Sequence, residues 1–207
     1  MIIFFLIVSV IVGYLLGSIN SSIIVGKLLH GKDIREMGSG NAGATNTLRS
    51  LGKKAAVFVL VGDIVKGVLA CLVGRWLVGK GLGNEYIGMY LAGFAAVIGH
   101  NWPVFFGFRG GKGVLTSAAV IFMFSPIPAL LSLALFILMV LLWKTVSLGS
   151  MVASTSFVLF AALFGASWPL LAVSGMMVVL IIARHHGNIK RLIAGTEPKI
   201  TDKKKEK

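Results

Sequence analysis

The feature that most limits this chain is the recurrence of long stretches almost free of polar side chains. Residues 2–12 contain one polar residue, Ser9; residues 127–143 contain only Ser132; residues 168–183 contain only Ser174. One soluble core does not need so many such stretches, whereas a lipid bilayer asks for one at every crossing. Composition agrees. Of 207 residues, 57% are hydrophobic and 13% charged, against about 25% charged in soluble domains. The sequence is that of a protein solvated by lipid.

Seven apolar spans are expected, at 2–26, 55–77, 86–99, 113–125, 127–143, 150–165 and 168–184. The fold class is all-α, a polytopic membrane helix bundle. Five spans are the alternative, because several segments fall short of the ~20 residues that cross a ~30 Å core. The segment 113–125 reaches only about 20 Å as a helix. Its flanking loop can enter the protein interior, where non-helical backbone is tolerated if protein surrounds it. No Lys or Arg precedes the first span, so a cleaved signal is not expected. Cys71 is the only cysteine, which excludes an intramolecular disulfide and a thiolate metal cluster.

Charge sets an expected orientation. The segments 27–54, 100–112 and 184–207, with Lys144, carry seventeen basic residues; the opposite side carries Arg75 and Lys80, and Lys66 lies inside a span. The positive-inside rule places the seventeen in the cytoplasm, with the N-terminus outside and the C-terminus cytoplasmic. All the polar, glycine-rich loops then fall on one face. The net charge of +13 could suggest nucleic acid. Most of it flanks apolar spans, so no nucleic-acid partner is expected. Residues 1–198 read as one membrane-embedded domain and 199–207 as a basic, disordered tail. Ser125-Pro126-Ile127-Pro128 marks an outer turn, and Trp168-Pro169 a helix start at the interface.

The first polar loop runs Gly38-Ser39-Gly40-Asn41-Ala42-Gly43-Ala44-Thr45-Asn46, followed by Arg49. Small residues let backbone N–H groups turn toward an anion. Ser39, Asn41, Thr45 and Asn46 offer further donors, and Arg49 a planar fork for phosphate. A flexible inter-helix turn is the alternative reading. The second loop runs from Gly99 and His100 to Gly110, Gly111, Lys112 and Gly113. It superficially resembles a nucleotide P-loop but fails the pattern: Phe106 replaces the first Gly, and Gly113 replaces the magnesium-binding Ser or Thr. What remains is a glycine nest with Arg109 and Lys112 at a helix start, a sound phosphate site. Phe105, Phe106 and Phe108 suit the acyl boundary or simple interfacial anchoring.

The third loop, Lys144 to Ser150, contains Ser147, which is weak evidence alone and can be read as a helix cap. The fourth element is Arg184-His185-His186-Gly187-Asn188-Ile189. Adjacent histidines diverge on a helix and make a poor metal pair, so His185 reads as a hydrogen-bonding group. No metal site and no cofactor are expected. Asp63 and Lys66, at i and i+3 inside a span, should be paired at depth, either as a structural device or in support of the site.

Together these elements resemble the acyl-phosphate-dependent glycerol-3-phosphate acyltransferases of bacterial phospholipid synthesis. The resemblance rests on residues 38–46, Asp63-x-x-Lys66-Gly67, Gly99-His100, 103–113, 147–150 and Arg184 to Ile189, and extends from Gly17 to about Gly195. It implies transfer of a fatty acyl group from acyl phosphate to the 1-hydroxyl of sn-glycerol 3-phosphate. The products are lysophosphatidic acid and phosphate. It implies Ser39, Lys112 and His185 as catalytic residues. It implies Asn41, Thr45, Asn46, Arg49, His100, Gly110, Gly111, Gly113, Ser147, Ser150 and Asn188 as phosphate-binding residues. It places the enzyme in the bacterial inner membrane with its site on the cytoplasmic side. The partners are the two substrates and the lipid bilayer, with the enzyme that makes acyl phosphate as a candidate protein partner. The His-x4-Asp motif of the other acyltransferase class is absent: Arg35, Phe105, Lys190 and Arg191 follow the four histidines at that spacing.

Phosphate is a good leaving group, so the reaction needs oxyanion donors more than a strong acid. The base is either His185 or the departing phosphate itself, and the lack of a nearby carboxylate in sequence favours the phosphate. A phosphate or organic-anion transporter is the rival class, and requires polar groups along a path to both faces. A non-catalytic scaffold recruiting partners through its basic tail is the third reading, and leaves three phosphate-competent loops unexplained.

Overall fold

The computed structural model describes residues 2–82 and 85–202. Residues 203–207 of the expected tail lie outside them. Residues 199–202 are tied locally: the Ile200 N–H donates to the Lys144 carbonyl at 2.8 Å, and the Lys199 N–H to Asp202 Oδ2 at 2.7 Å. Ten α-helices and two 3₁₀ turns make up the regular structure among the described residues. They fall into two compact units, Met1–Phe124 and Ser125–Lys207.

The first unit begins with α1 (Ile2–Ser18) and α2 (Ser21–His30), where a single span was expected. The break lies at Asn20. It is extended there, and its side chain caps α2 by accepting from the Ile23 N–H at 3.2 Å, as Asn favours at a helix start. Gly31, with φ of +62°, ends α2 in the left-handed conformation. Then come α3 (Ala44–Leu51), α4 (Lys53–Leu82), α5 (Glu85–Asn101) and α6 (Val114–Phe124). Helix α4 packs on α1, α5 and α6. Small residues allow close approach. A methyl group at Gly13 or Gly17 of α1 would stand 2.4 or 2.1 Å from a carbonyl oxygen of Ala92 or Ala96 on α5. Gly74 and Gly88 bring α4 and α5 together in the same way. Spacing of small residues by four is how helices pack where lipid removes the hydrophobic drive between them.

The second unit contains α7 (Pro126–Trp143), α8 (Val146–Leu163), α9 (Trp168–Arg184) and α10 (His186–Ile193). Helix α8 packs against α7 and α9. The unit exposes large apolar side chains and buries several serines among apolar residues. Leu141, Leu159, Leu163 and Val179 are exposed, while Ser132, Ser150, Ser156 and Ser174 are buried. Each of those serine hydroxyls donates to a carbonyl about one turn back in its own helix, which satisfies it without water.

The seven expected segments coincide with helices, the first of them broken at Asn20. Among the described residues, four stretches have the length and apolarity to cross a membrane: Ile2–His30, Lys53–Gly79, Pro126–Trp143 and Val146–Leu163. A fifth follows if α9 and α10, bent by 59°, count as one. Helix α6 has 11 residues, about 16 Å at the helical rise.

Candidate functional site

In the first unit, the first loop is built around Asn46. Its Oδ1 accepts the Ser39 N–H at 2.9 Å, and its Nδ2 donates to the carbonyls of Ile34 (3.1 Å) and Met37 (2.9 Å). Asn46, expected on the phosphate, thus holds the loop together. Its hydrogen-bonding groups are engaged inside the loop, and it is buried. Gly38 and Gly40, at φ of +55° and +70°, permit the turns that such a closed loop needs. Ser39 is thereby presented at the surface, with Asn41, Thr45 and Arg49 half-buried beside it in sequence. Thr45 lies in the first turn of α3, whose N–H groups have no acceptor within the helix.

The second loop is closed on itself as well. The Gly110 N–H donates to the Asn101 carbonyl at 3.2 Å and the Gly111 N–H to the His100 carbonyl at 3.1 Å. The expected nest therefore does not offer these two N–H groups to phosphate; they shape the loop. Lys112 is half-buried, next to Gly113, whose φ of +73° starts α6. Phe106 packs against the buried cluster of Ile23, Ile34 and Ala42, while Phe105 and Phe108 are exposed.

The two loops are joined. Arg35 Nη1 donates to the carbonyls of Phe106 (2.7 Å) and Arg109 (3.2 Å), while Nε and Nη2 hold the carboxylate of Asp33 at 3.0 and 2.7 Å. The hydrogen bonds from Arg35 keep the Asp33 carboxyl ionised, lowering its pKa to about 2. Neither residue was singled out from the sequence, where Arg35 counted only as a topological charge.

Beneath the second loop lies a buried polar group. Asp63 Oδ1 accepts from Lys66 Nζ at 2.8 Å and from Ser21 Oγ at 3.0 Å. Lys66 Nζ also reaches the Ile19 carbonyl at 3.1 Å and His100 Nδ1 at 2.9 Å. His100, expected on the phosphate, is 2% exposed and faces this pair instead.

The second unit gathers its polar residues on one carboxylate. Glu197 Oε1 accepts from Ser147 Oγ at 2.7 Å and Asn188 Nδ2 at 2.5 Å, and Oε2 accepts from Arg191 Nε at 2.8 Å. Burial raises the pKa of Glu197, but the donors outweigh it and leave the pKa lowered. Sequence reasoning missed Glu197. One signal was present: it is the only acidic residue between Glu85 and Asp202, in a strongly basic segment.

His185 stands where α9 bends into α10. It is buried, and its Nδ1 lies 2.7 Å from the Ile181 carbonyl. A carbonyl only accepts, so Nδ1 carries the proton, and the neutral ring presents Nε2 as an acceptor. His186 is exposed, so the two histidines diverge. Ser150, expected on the phosphate, is buried, and its hydroxyl donates to the Val146 carbonyl at 2.8 Å within its own helix.

Residues 7–195 match the family model described as glycerol-3-phosphate acyltransferase. A glycerol-3-phosphate acyltransferase of Thermoanaerobacter sp. (strain X514) is 47% identical over 95% of this chain and 96% of its own. One of Clostridioides difficile (strain 630) is 45% identical over 98% of both. The fold is similar to the crystal structure of PlsY (YgiH), an integral membrane glycerol 3-phosphate acyltransferase, in its glycerol 3-phosphate form. The TM-score is 0.87, with 41% identity over 94% of this chain and 95% of that one. For its lysophosphatidic acid form the TM-score is 0.83, with 40% identity over 94% of each chain.

Proposed function

This chain belongs to the glycerol-3-phosphate acyltransferase family, and from that premise we propose that it acylates glycerol 3-phosphate with acyl phosphate as donor. It is an integral membrane enzyme. In the proposed reaction the 1-hydroxyl oxygen of glycerol 3-phosphate attacks the acyl carbon. The bond between the acyl carbon and the bridging oxygen breaks, and the phosphate departs with that oxygen and takes up the hydroxyl proton. The products are 1-acylglycerol 3-phosphate and inorganic phosphate.

The observation that carries the acceptor is the nearly full-length match in sequence and fold to glycerol-3-phosphate acyltransferases. The donor follows from the same family resemblance together with the missing His-x4-Asp motif. Both substrates are phosphates, and Arg49 in the last turn of α3 and Lys112 in the second loop are cations whose charge-assisted hydrogen bonds can hold them. Ser39 supplies a surface hydroxyl, and Lys112 also suits the developing oxyanion. In the second unit, Ser147 and Asn188 are held by Glu197, and His185 is the candidate hydrogen-bonding partner or base. The distribution of basic residues supports polar loops that face the cytoplasm and an N-terminus outside; the seven apolar segments of the sequence support seven spans, and the family resemblance supports the bacterial inner membrane.

The test is direct. Purified protein in detergent receives acyl phosphate and glycerol 3-phosphate, and lysophosphatidic acid is measured beside an acyl-CoA control. Product from acyl phosphate alone is the expected result. Product from acyl-CoA at a similar rate overturns the donor, and no product from either overturns the reading.

A further inference from the structure

We propose that His100 is a positioning residue. Its imidazole, locked as the Nε2–H tautomer by the Asp63–Lys66 pair, pins the first loop to the second where Ala42 meets Gly111. It thereby fixes the settings of Arg49 and Lys112 for the substrates of the preceding reading, on which its kinetic consequence rests.

The tautomer follows from counting donors. A lysine ammonium has three N–H bonds and no lone pair. Lys66 Nζ meets three acceptors: Asp63 Oδ1 at 2.8 Å, the Ile19 carbonyl at 3.1 Å and His100 Nδ1 at 2.9 Å. Lysine donates to Nδ1, so Nδ1 holds a lone pair and the neutral ring carries its proton on Nε2. Asp63 lies farther from the ring, at 3.6 Å from Nδ1, so it acts through Lys66. The carboxylate keeps the ammonium charged where an unpaired charge would be costly. Asp63 and Lys66 are both almost fully buried.

The other side of the ring meets the loops. A methyl group at Gly111 would lie 2.2 Å from His100 Nε2 and 2.4 Å from the Ala42 carbonyl oxygen. The imidazole nitrogen, a carbonyl of the first loop and the Cα of the second thus converge where only glycine fits. A donor at Nε2 beside a carbonyl is the complementary arrangement. The His100 backbone repeats the hold, accepting the Gly111 N–H at 3.1 Å. Lys112 is the next residue along one loop, and α3, which carries Arg49, begins two residues after Ala42 on the other. A pin at this junction sets both cations without touching substrate.

Two substitutions separate positioning from bulk packing. The side-chain amide of His100→Gln can place an N–H near the Nε2 position. That of His100→Asn reaches only the Nδ1 position, where it keeps a partner for Lys66 but offers the loops no donor. Expected are two folded proteins. His100→Gln should lie within about threefold of the parent in KM for glycerol 3-phosphate, and His100→Asn should be raised about tenfold or more, with a smaller change in kcat. Equal KM values in the two folded variants overturn the proposal.

If neither variant folds, the parent protein decides by nitrogen-15 resonance of its histidines. The ring in contact with a lysine Nζ should be neutral, protonated at Nε2 and bare at Nδ1. A proton on Nδ1 of that ring overturns the proposal. Failure of the parent protein to make lysophosphatidic acid would defeat the functional reading instead, and leave the resonance result to decide the tautomer.

Discussion

Arg35 binds Asp33 at two points, Nε to Oδ1 at 3.0 Å and Nη2 to Oδ2 at 2.7 Å, and turns its remaining Nη1 to the carbonyls of Phe106 and Arg109. The pair is a clasp from the first polar segment to the second loop. Removing the guanidinium in Arg35→Ala leaves both carbonyls without their charged donor and Asp33 with only Lys27, at 3.7 Å, as a cationic partner among the described residues. Such hydrogen bonds contribute about 1.5–3 kcal/mol, so kcat/KM should fall roughly tenfold or more. Arg35→Lys should recover only part, because an ammonium cannot make the two-point contact. Near-parental activity in Arg35→Ala would show the clasp to be dispensable. The pH dependence has a definite sign. Asp33 has its pKa lowered in the folded state to about 2. Its stabilisation is therefore present above its ordinary pKa of 3.8 and lost as pH falls from there through about 2. Asp33→Asn should flatten the unfolding-versus-pH curve over that window.

Gly111→Ala and Gly107→Ala should differ sharply. The added methyl at Gly111 would meet His100 Nε2 at 2.2 Å and the Ala42 oxygen at 2.4 Å, one of them backbone, so the loops must part. At Gly107 nothing stands within 4 Å, and only the positive φ of +66° opposes the change, about 1–2 kcal/mol for one residue. Activity should be nearly lost in the first variant and largely retained in the second. The comparison is made in protein shown to be folded and present in the membrane. Similar losses would contradict the junction.

Apolar length made every long helix legible, because lipid imposes it directly. Helices α3 and α10 were read as loop and motif, since both have only eight residues and are polar along one face. The division of residues 2–30 into α1 and α2 hinges on one side-chain cap, Asn20, which apolar counting does not register. Asn46, Gly110 and Gly111 have the chemistry of phosphate donors, but only coordinates reveal that those groups are already used within the loops. Arg35 and Glu197 were passed over for the converse reason: nothing in their local spacing announces partners 71 and 50 residues away.

Arg49→Ala and Lys112→Ala should damage turnover while leaving protein in the membrane. Each removes a cation, one from the end of α3 and one from the second loop, without opening the core, since both side chains are half-buried. Loss of a charge-assisted phosphate contact corresponds to about 1.5–3 kcal/mol, roughly tenfold to over a hundredfold in kcat/KM. Steady-state kinetics with both substrates varied assign each cation to the substrate whose KM rises. A variant with unchanged kinetics for both substrates has no phosphate role.

Glu197→Gln should act on stability first. The amide cannot accept from Ser147, Asn188 and Arg191 together, so at least one donor is left without its carboxylate. The cost is about 1–3 kcal/mol, seen as a lower unfolding temperature. Because the folded-state pKa of Glu197 lies below its ordinary 4.5, its stabilisation is present above 4.5 and lost as pH falls through the lowered value. The variant should lack that acid-side loss. An unchanged unfolding temperature with normal activity would mean the carboxylate orients nothing.

The base in acyl transfer is decided at His185. The Nδ1–H bond to the Ile181 carbonyl at 2.7 Å aims the ring and leaves Nε2 as the acceptor, which is the tautomer a base requires. The orienting group is a neutral carbonyl, however, and stabilises an imidazolium less than the carboxylate of a hydrolytic triad does. The donor phosphate brings its own oxygen to the attacking hydroxyl, so the proton is expected to leave with phosphate, and His185 to hold substrate by a hydrogen bond. His185→Gln, which keeps a polar group near the position of Nε2, should then retain substantial turnover, and any acidic limb of the pH–rate profile should persist. His185→Ala should lose more, chiefly through KM. Obligatory base catalysis gives the opposite pattern: His185→Gln that binds glycerol 3-phosphate normally, turns over negligibly, and has lost the acidic limb. That outcome would transfer the proton from the departing phosphate to the imidazole.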